Sequence, residues 1–405
     1  MLCALMIITY LDRISISLVG VRIKSDFHLS NTQFGLVLGA FSLSYALFEI
    51  PSGILGDRIG QRSIFIRIVL WWSFFTALTG FATGFISLVI VRFLFGAGEA
   101  GSVPNTSAAV SRWFPMQETS KGLSVAIAGQ YIGSAIAPII VVTIAQNYGW
   151  RSTFFVNALA GILWVIICAL WFRDNPSQMK KISEKERILI ETNRRFYAFH
   201  QRISWQKIFR NRSLLALVTA FSASQWSNYF FIAWMPVYLQ EGKHFTENEM
   251  RLTFSWVFSI AITGCLLGGY LSDWLVKRKG LRVGRSFFGL AILSVLAISI
   301  VAQTFTSNHG VIIGLMIIGA FFQAIHGIPA FSVCVDIAGS RAATVSGIMN
   351  FCGQLAAFLI VILFGRIVDL SHSFNVPLYI ISAALLCGGF LWLVVDPATQ
   401  LVEET

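Results

Sequence analysis

Twelve stretches of this chain are apolar for about twenty residues each, and no soluble core can bury that many helix-length runs. They fall at 2–22, 33–56, 63–83, 85–110, 122–146, 152–172, 213–239, 249–276, 283–303, 310–335, 344–367 and 376–395. Only 12% of the 405 residues are charged, against roughly 25% in soluble domains. In hydrocarbon every backbone N–H and C=O must find a partner inside its own segment, so each run is expected to be a helix. The expected fold is an all-α membrane protein of twelve transmembrane helices, a multi-pass bundle with 35 Phe and 12 Trp to fill its interior and face lipid.

The formal charge of +11 is concentrated in short loops assigned to one side of the membrane, which is the pattern of the positive-inside rule rather than of a nucleic-acid binder. The segment 173–212 carries eleven basic residues, including Arg173, Lys180, Lys181, Arg194, Arg195, Arg202 and Lys207, against four acids. It belongs in the cytoplasm, and within it SEKERILIETNRRF reads as a short helix with Ser183 as N-cap ahead of Glu186. Asp57–Arg62, Arg112–Lys121 and Lys277–Arg285 fall on the same side, so both termini are expected to be cytoplasmic, in a cell inner membrane. The first run lacks the basic n-region of a cleavable signal, and Met1 opens directly into a span. Six scattered cysteines show no CxxC or zinc spacing and read as packing residues.

The spans divide into two sets of six, and a repeat supports the division. GILGDRIGQR at 53–62 returns as GYLSDWLVKR at 269–278, an offset of 216. Pro104 and Gly122 match Pro329 and Gly347 at an offset of 225. The expected organisation is a six-helix half at 1–172, a linker at 173–212 and a second, pseudo-symmetric half at 213–405.

Charge inside the spans is confined to few places, and at membrane depth it marks functional candidates. Asp12 and Arg13 lie about 15–17 Å along the first span, close to the bilayer midplane. Arg92 and Glu99, seven residues apart, share a face of the fourth span with about 10 Å between them along the axis. Because the two spans run in opposite directions, Arg92 falls level with Arg13, and two guanidinium groups at one depth form a fork for a carboxylate. Asp12 and Glu99 are the groups able to take and release a proton. The competing reading is a structural ion pair between the two helices.

The loop G-x-L-x-D-R-x-G-x-R between the second and third spans resembles the signature of the major facilitator superfamily. Within it, Tyr10-Leu-Asp-Arg13, Arg92 followed by GAGEAGSVP, Gly149-Trp-Arg151 and Trp234-Met-Pro-Val-Tyr-Leu239 resemble the anion:cation symporter family, which includes bacterial proton-coupled sugar-acid permeases. The resemblance implies two six-helix halves around a central site, with Asp12 and Glu99 as coupling acids and Arg13 and Arg92 as the arginines for the substrate anion. At the repeat offsets Asp12 maps onto Asn228, Arg13 onto Tyr229 and Glu99 onto Ala324, so the charge is one-sided. Gln225, Asn228, Tyr229, Gln323, His326 and Asn350, with Tyr10, Tyr45 and Gln130 of the first half, are candidates to hydrogen-bond substrate hydroxyls, or to satisfy a neighbouring helix. The HGIP stretch containing His326 departs from the family, in which tryptophan or small polar residues are common.

Gly53, Asp57, Arg58, Gly60, Arg62 and the second-half Asp273 are read as a conformational latch, making and breaking contacts as the halves rock; Glu49 and Arg67 are placed with that network. The glycine pairs Gly35/Gly39, Gly129/Gly133 and Gly264/Gly268 are expected at close helix crossings, along the seam between the halves. A phosphate loop, HExxH and GxSxG are all absent, so the chain is expected to be no enzyme and to need no cofactor beyond protons as coupling ion. The reading is a monomeric importer of a small organic anion, an aldonate, aldarate or hexuronate, by proton symport. Anion exchange, Na⁺ coupling or facilitated diffusion remain open, as does a sensor that has kept the fold without transport.

Overall fold

The computed structural model describes residues 1–115, 119–179, 182–193, 210–338 and 342–399. Their regular structure is helical throughout, with no strand among the described residues. Among the described residues nine helices are long and apolar enough to cross a membrane, ten when the bent pair α1 (Leu2–Leu18) and α2 (Gly20–Phe27) counts as one span. The two remaining expected spans fall on a helix interrupted by wider turns and on a 17-residue helix at the C-terminal end.

By contact the chain forms two units, Met1–Arg22 with Ala40–Gln201, and Ile23–Gly39 with Arg202–Thr405. The first unit contains α1, most of α3 (Asn31–Ile59), α4 (Gln61–Gly80), α5 (Phe85–Glu99), α6 (Ser102–Trp113), α7 (Thr119–Tyr148), α8 (Trp150–Trp171) and the short α9 (Glu184–Asn193). Ser183 accepts from the Glu186 N–H at 3.2 Å, as an N-cap should. Lys180, Lys181, Arg194, Arg195, Arg202 and Lys207 lie outside the described residues. The fourth expected span is broken rather than continuous. Ala100 is extended and Gly101 has φ +91°, a left-handed conformation that glycine adopts without strain. A side chain at Gly101 would also meet Ser52 Oγ at 2.2 Å, so the break leaves Glu99 as the last residue of α5.

Helix α1 runs along α7 with almost no space between the backbones. A Cβ added at Gly129 would stand 2.4 Å from the Cys3 carbonyl oxygen, and one at Gly133 the same distance from that of Ile7. Gly133→Ala is therefore expected to cost about 1–3 kcal/mol, read as a lower thermal-unfolding midpoint in detergent. Around this crossing Phe65, Trp72, Phe95 and Trp164 build an aromatic core, with Phe65 edge-on to Trp164.

The second unit contains α10 (Arg212–Tyr229), α11 (Glu247–Lys279), α12 (Phe288–Ala302), α13 (His309–Ala338), α14 (Ala342–Ser371) and α15 (Asn375–Leu391), together with the start of α3. Beyond α10 the chain continues through π turns at Phe230–Trp234 and Tyr238–Gly242. These widened turns accommodate Pro236, which has no N–H to donate. The motif WMPVYL thereby becomes an anchor: Trp234 stacks on Phe364 at 4.7 Å, meets Phe34 edge-on and donates to the Val361 carbonyl at 3.0 Å.

The glycine pairs correct one expectation. Gly129/Gly133 and Gly264/Gly268 join helices of the same set of six, the latter placing α11 against Phe321 O and Ile325 Cα of α13. Only Gly35/Gly39 joins helices of the two sets, packing α3 on Val361 and Ile362 of α14. Small residues serve any crossing at which backbones touch, so GxxxG marks closeness and not which helices meet.

Candidate functional site

In the first unit the four charged residues of α1 and α5 come together and are almost fully enclosed: Asp12, Arg13, Arg92 and Glu99 are 3%, 7%, 2% and 0% exposed. Arg13 donates from Nε to Glu99 Oε1 at 2.9 Å, and its Nη2 reaches the same oxygen. Glu99 Oε2 accepts no hydrogen bond from any described residue. The pair joins two helices 86 residues apart in sequence, and Arg13 lies beside the C-terminal end of α5, where a cation is favoured.

Aromatic rings complete the surroundings of both guanidinium groups. Arg13 lies over Tyr10, Phe41 and Tyr45 at 4.7, 5.0 and 4.9 Å from the ring centroids, and its Nη1 reaches the Tyr10 hydroxyl at 3.5 Å. Arg92 lies over Phe95 and the same Phe41, at 4.6 and 5.1 Å. The level predicted from helix rise is thus realised as two cations sharing one ring. Phe41 escaped the sequence reading, since nothing in an apolar run distinguishes a ring under two arginines from an ordinary core residue.

Neither oxygen of Asp12 has a donor at full hydrogen-bond geometry among the described residues, although Asn157 and Thr76 bring side-chain donors toward it. Glu99 and Arg92 are its charged neighbours. Asn157 Nδ2 donates to Ser15 Oγ at 2.7 Å, and Ser15 in turn to the Leu11 carbonyl. With all four groups ionised the cluster is formally neutral, so an added anion would leave it with excess negative charge in a low-dielectric setting.

The other expected polar residues take several roles. Gln130 lies on α7 with Nε2 at 3.7 Å from Met6 Sδ. In the second unit the Tyr229 hydroxyl donates to Gln354 Oε1 at 2.8 Å, and Ser227 Oγ to Gln323 Oε1. Gln354, four residues beyond Asn350 and on the same helical face, could have been found from that spacing. Gln225 is buried while Asn228 and Asn350 are half-buried. His326 is fully enclosed: Trp392 Nε1 donates to its Nε2 at 3.3 Å, and Phe221 stacks on the ring. That environment is a packed interior.

The sequence matches the Major Facilitator Superfamily over residues 2–361. The chain belongs to that superfamily. It is therefore a multi-pass membrane transporter and not an enzyme. Among curated relatives, a "Probable sulfoacetate transporter" of Cupriavidus necator is 30% identical, covering 98% of this chain and 92% of its own. The "Hexuronate transporter" of Bacillus subtilis is 28% identical over 95% and 89%, and a "Probable L-galactonate transporter" of Escherichia coli 29% over 96% and 87%. The fold is that of a bacterial homologue of the human lysosomal transporter Spinster, solved inward-facing and occupied, with TM-score 0.79, 17% identity and coverage of 97% and 95%.

The superfamily's loop signature is built differently in its two copies. In the first, Gly60 has φ +87° and the Arg62 N–H donates to Asp174 Oδ1 at 2.8 Å, while the Arg62 side chain reaches the Ala169 carbonyl. Gly53 packs near Pro104. Asp57 and Arg58 are exposed and pair with no described residue. In the second copy Asp273 pairs with Arg285 at 3.2 Å, and Arg285 Nε also reaches Asp336 at 3.1 Å.

One further polar network of this transporter was not visible in the sequence. Lys24 is held by both oxygens of Glu241, at 2.8 and 2.5 Å, and by Asn31 Oδ1 at 2.6 Å. Asp369, near the end of α14, accepts from the backbone N–H and the side chain of both Asn31 and Thr32. It thus caps the start of α3 from another helix.

Proposed function

We propose that this transporter carries a small organic anion with a carboxylate, a sugar acid such as an aldonate, aldarate or hexuronate, by proton symport with alternating access. The observation that carries the reading is the Arg13–Glu99 pair beside Arg92. Arg13 cannot serve Glu99 and a substrate carboxylate equally, so an arriving anion competes with Glu99. A proton taken up by Glu99 removes its charge and frees the guanidinium. Substrate and proton then enter together, and the cluster stays neutral.

In this reading Arg13 and Arg92 hold the carboxylate, and Asp12 and Glu99 carry protons. Tyr10, Tyr45, Gln130, Gln225, Asn228, Tyr229 and Asn350 contact the rest of the substrate, and no cofactor is required. The relatives named for sulfoacetate, hexuronate and galactonate support an anionic cargo. The halves 1–172 and 213–405, joined through 173–212, would rock about the site, with Gly53, Asp57, Arg58, Gly60, Arg62 and Asp273 as latch. We place the protein as a monomer in the cell inner membrane with both termini cytoplasmic.

The test is uptake into proteoliposomes of labelled sugar acids and simple carboxylates, with and without an inward proton gradient. Accumulation that needs the gradient and fails in Arg92→Ala supports symport. Losing one charge-assisted contact, about 1.5–3 kcal/mol, should weaken substrate binding roughly tenfold or more. Equal uptake without a gradient would make the protein an exchanger or facilitator, and no uptake by folded protein would favour the sensor.

A further inference from the structure

In the first unit a cavity of about 360 Å³ opens between the ends of α1, α6, α7 and α8, well apart in composition from the charged cluster. Leu2, Trp113, Phe114, Val125, Trp171 and Met179 are among its walls, which also include Arg173; none of Asp12, Arg13, Arg92 and Glu99 lines it. Val125 and Trp171 at its edge are 60% and 57% exposed. On a membrane-spanning bundle such apolar surface adjoins the bilayer, and paired tryptophans at span ends belong at the level of the lipid headgroups.

The polar features are few and lie at one end. Arg173 directs Nη1 to the Phe172 carbonyl at 2.8 Å, and its other N–H groups have no partner among the described residues. The Trp113 indole donates to the Arg173 carbonyl at 3.0 Å, fixing this arginine's backbone at the rim. A polyhydroxy acid would leave its hydroxyls unsatisfied against such walls. An extended polypeptide segment would bring peptide groups into a cavity with almost nothing to bond them. What fits is a body of CH₂ groups ending in an anion.

We propose that this cavity is a lipid site, holding one acyl chain of an anionic phospholipid with its phosphate on Arg173. The apolar walls take the chain and the guanidinium takes the phosphate. Nothing in this assignment depends on the transported substrate or on proton coupling.

The experiment reconstitutes the whole transporter with phosphatidylglycerol or a phosphate-free diacylglycerol, each carrying the same photoactivatable acyl chain, and maps adducts by peptide mass spectrometry. Phosphatidylglycerol should label the peptides containing Trp113–Phe114, Val125 and Trp171–Met179 roughly tenfold more than the phosphate-free lipid, as one charge-assisted contact predicts. Arg173→Ala, which leaves the backbone carbonyl for Trp113, should abolish that preference, with gel filtration and an unchanged thermal-unfolding midpoint showing the protein intact. Equal labelling by the two lipids overturns the proposal. So do adducts spread evenly over other lipid-facing helices, or a preference unchanged by Arg173→Ala.

Discussion

Glu99→Gln is expected to bind the substrate anion more tightly than the wild type and to lose the ability to accumulate it. The two effects have one cause. In the wild type the Glu99 carboxylate takes two donors of Arg13, and an incoming carboxylate must displace it. The amide is a neutral acceptor, and a neutral contact is weaker than a charge-assisted one by about 1 kcal/mol or more. Apparent affinity should therefore rise by roughly tenfold. With no proton to take up at position 99, a proton gradient no longer drives the step, and the inside-to-outside ratio should fall to unity while exchange of labelled for unlabelled substrate continues.

The pH dependence of the same pair gives the sign of the coupling. In the proposed symport, a fall in pH that protonates Glu99 should release Arg13 and tighten substrate binding, and a rise in pH should restore the competing carboxylate and weaken it. Glu99→Gln should remove this part of the profile, leaving affinity flat where wild-type affinity falls. Isothermal titration in detergent at several pH values measures both. A variant that retains the wild-type pH slope, or still accumulates substrate under a gradient, would show that Glu99 is a structural counterion and that coupling lies elsewhere.

The membrane class and most helix boundaries could be read from the apolar runs, because length and composition alone fix them. Relative level along the helices was also legible: helix rise placed Arg13 and Arg92 side by side, and Phe41 lies under both. Azimuth was not. Spacing along one helix does not say which way a side chain turns relative to another helix, so Arg13 read either as half of an open fork or as half of an ion pair between the two helices, and the structure pairs it with Glu99. The same limit hid Asn157 and Thr76 beside Asp12, and it hid the Trp392 indole that turns His326 into a packed interior group. The break at Gly101 had a local signal, two glycines flanking Glu99-Ala100, but an apolar window averages over it. Asp369 had no local signal at all, since the helix start it caps is more than 330 residues earlier in the chain.

That cap carries the second large expected effect. Asn31 and Thr32 begin α3, where the first backbone N–H groups lack partners in their own helix and favour an anion. Asp369 supplies it, with contacts of 3.1 and 2.9 Å to Asn31 and 2.7 and 2.6 Å to Thr32. Close approach makes this possible, because a Cβ at Gly365 would stand only 2.1 Å from the Asn31 carbonyl oxygen. Lys24 adds a second tie through Asn31 and Glu241. If transport requires the start of α3 to leave α14, these contacts must break in every cycle and set the balance between the parted and joined states. Asp369→Ala removes four hydrogen bonds to one carboxylate; non-additivity limits the net loss to about 3 kcal/mol, on the order of a hundredfold in that balance. Glu241→Ala removes a pair whose acid is 30% exposed, so about 1 kcal/mol and severalfold is expected. Spin labels at Ser25 and Ser371 in a cysteine-free background should report a longer distance population that grows in the order wild type, Glu241→Ala, Asp369→Ala. Unchanged distances in both variants, with α3 intact by circular dichroism, would mean that α3 and α14 move as one body and that the transporter opens along a different seam.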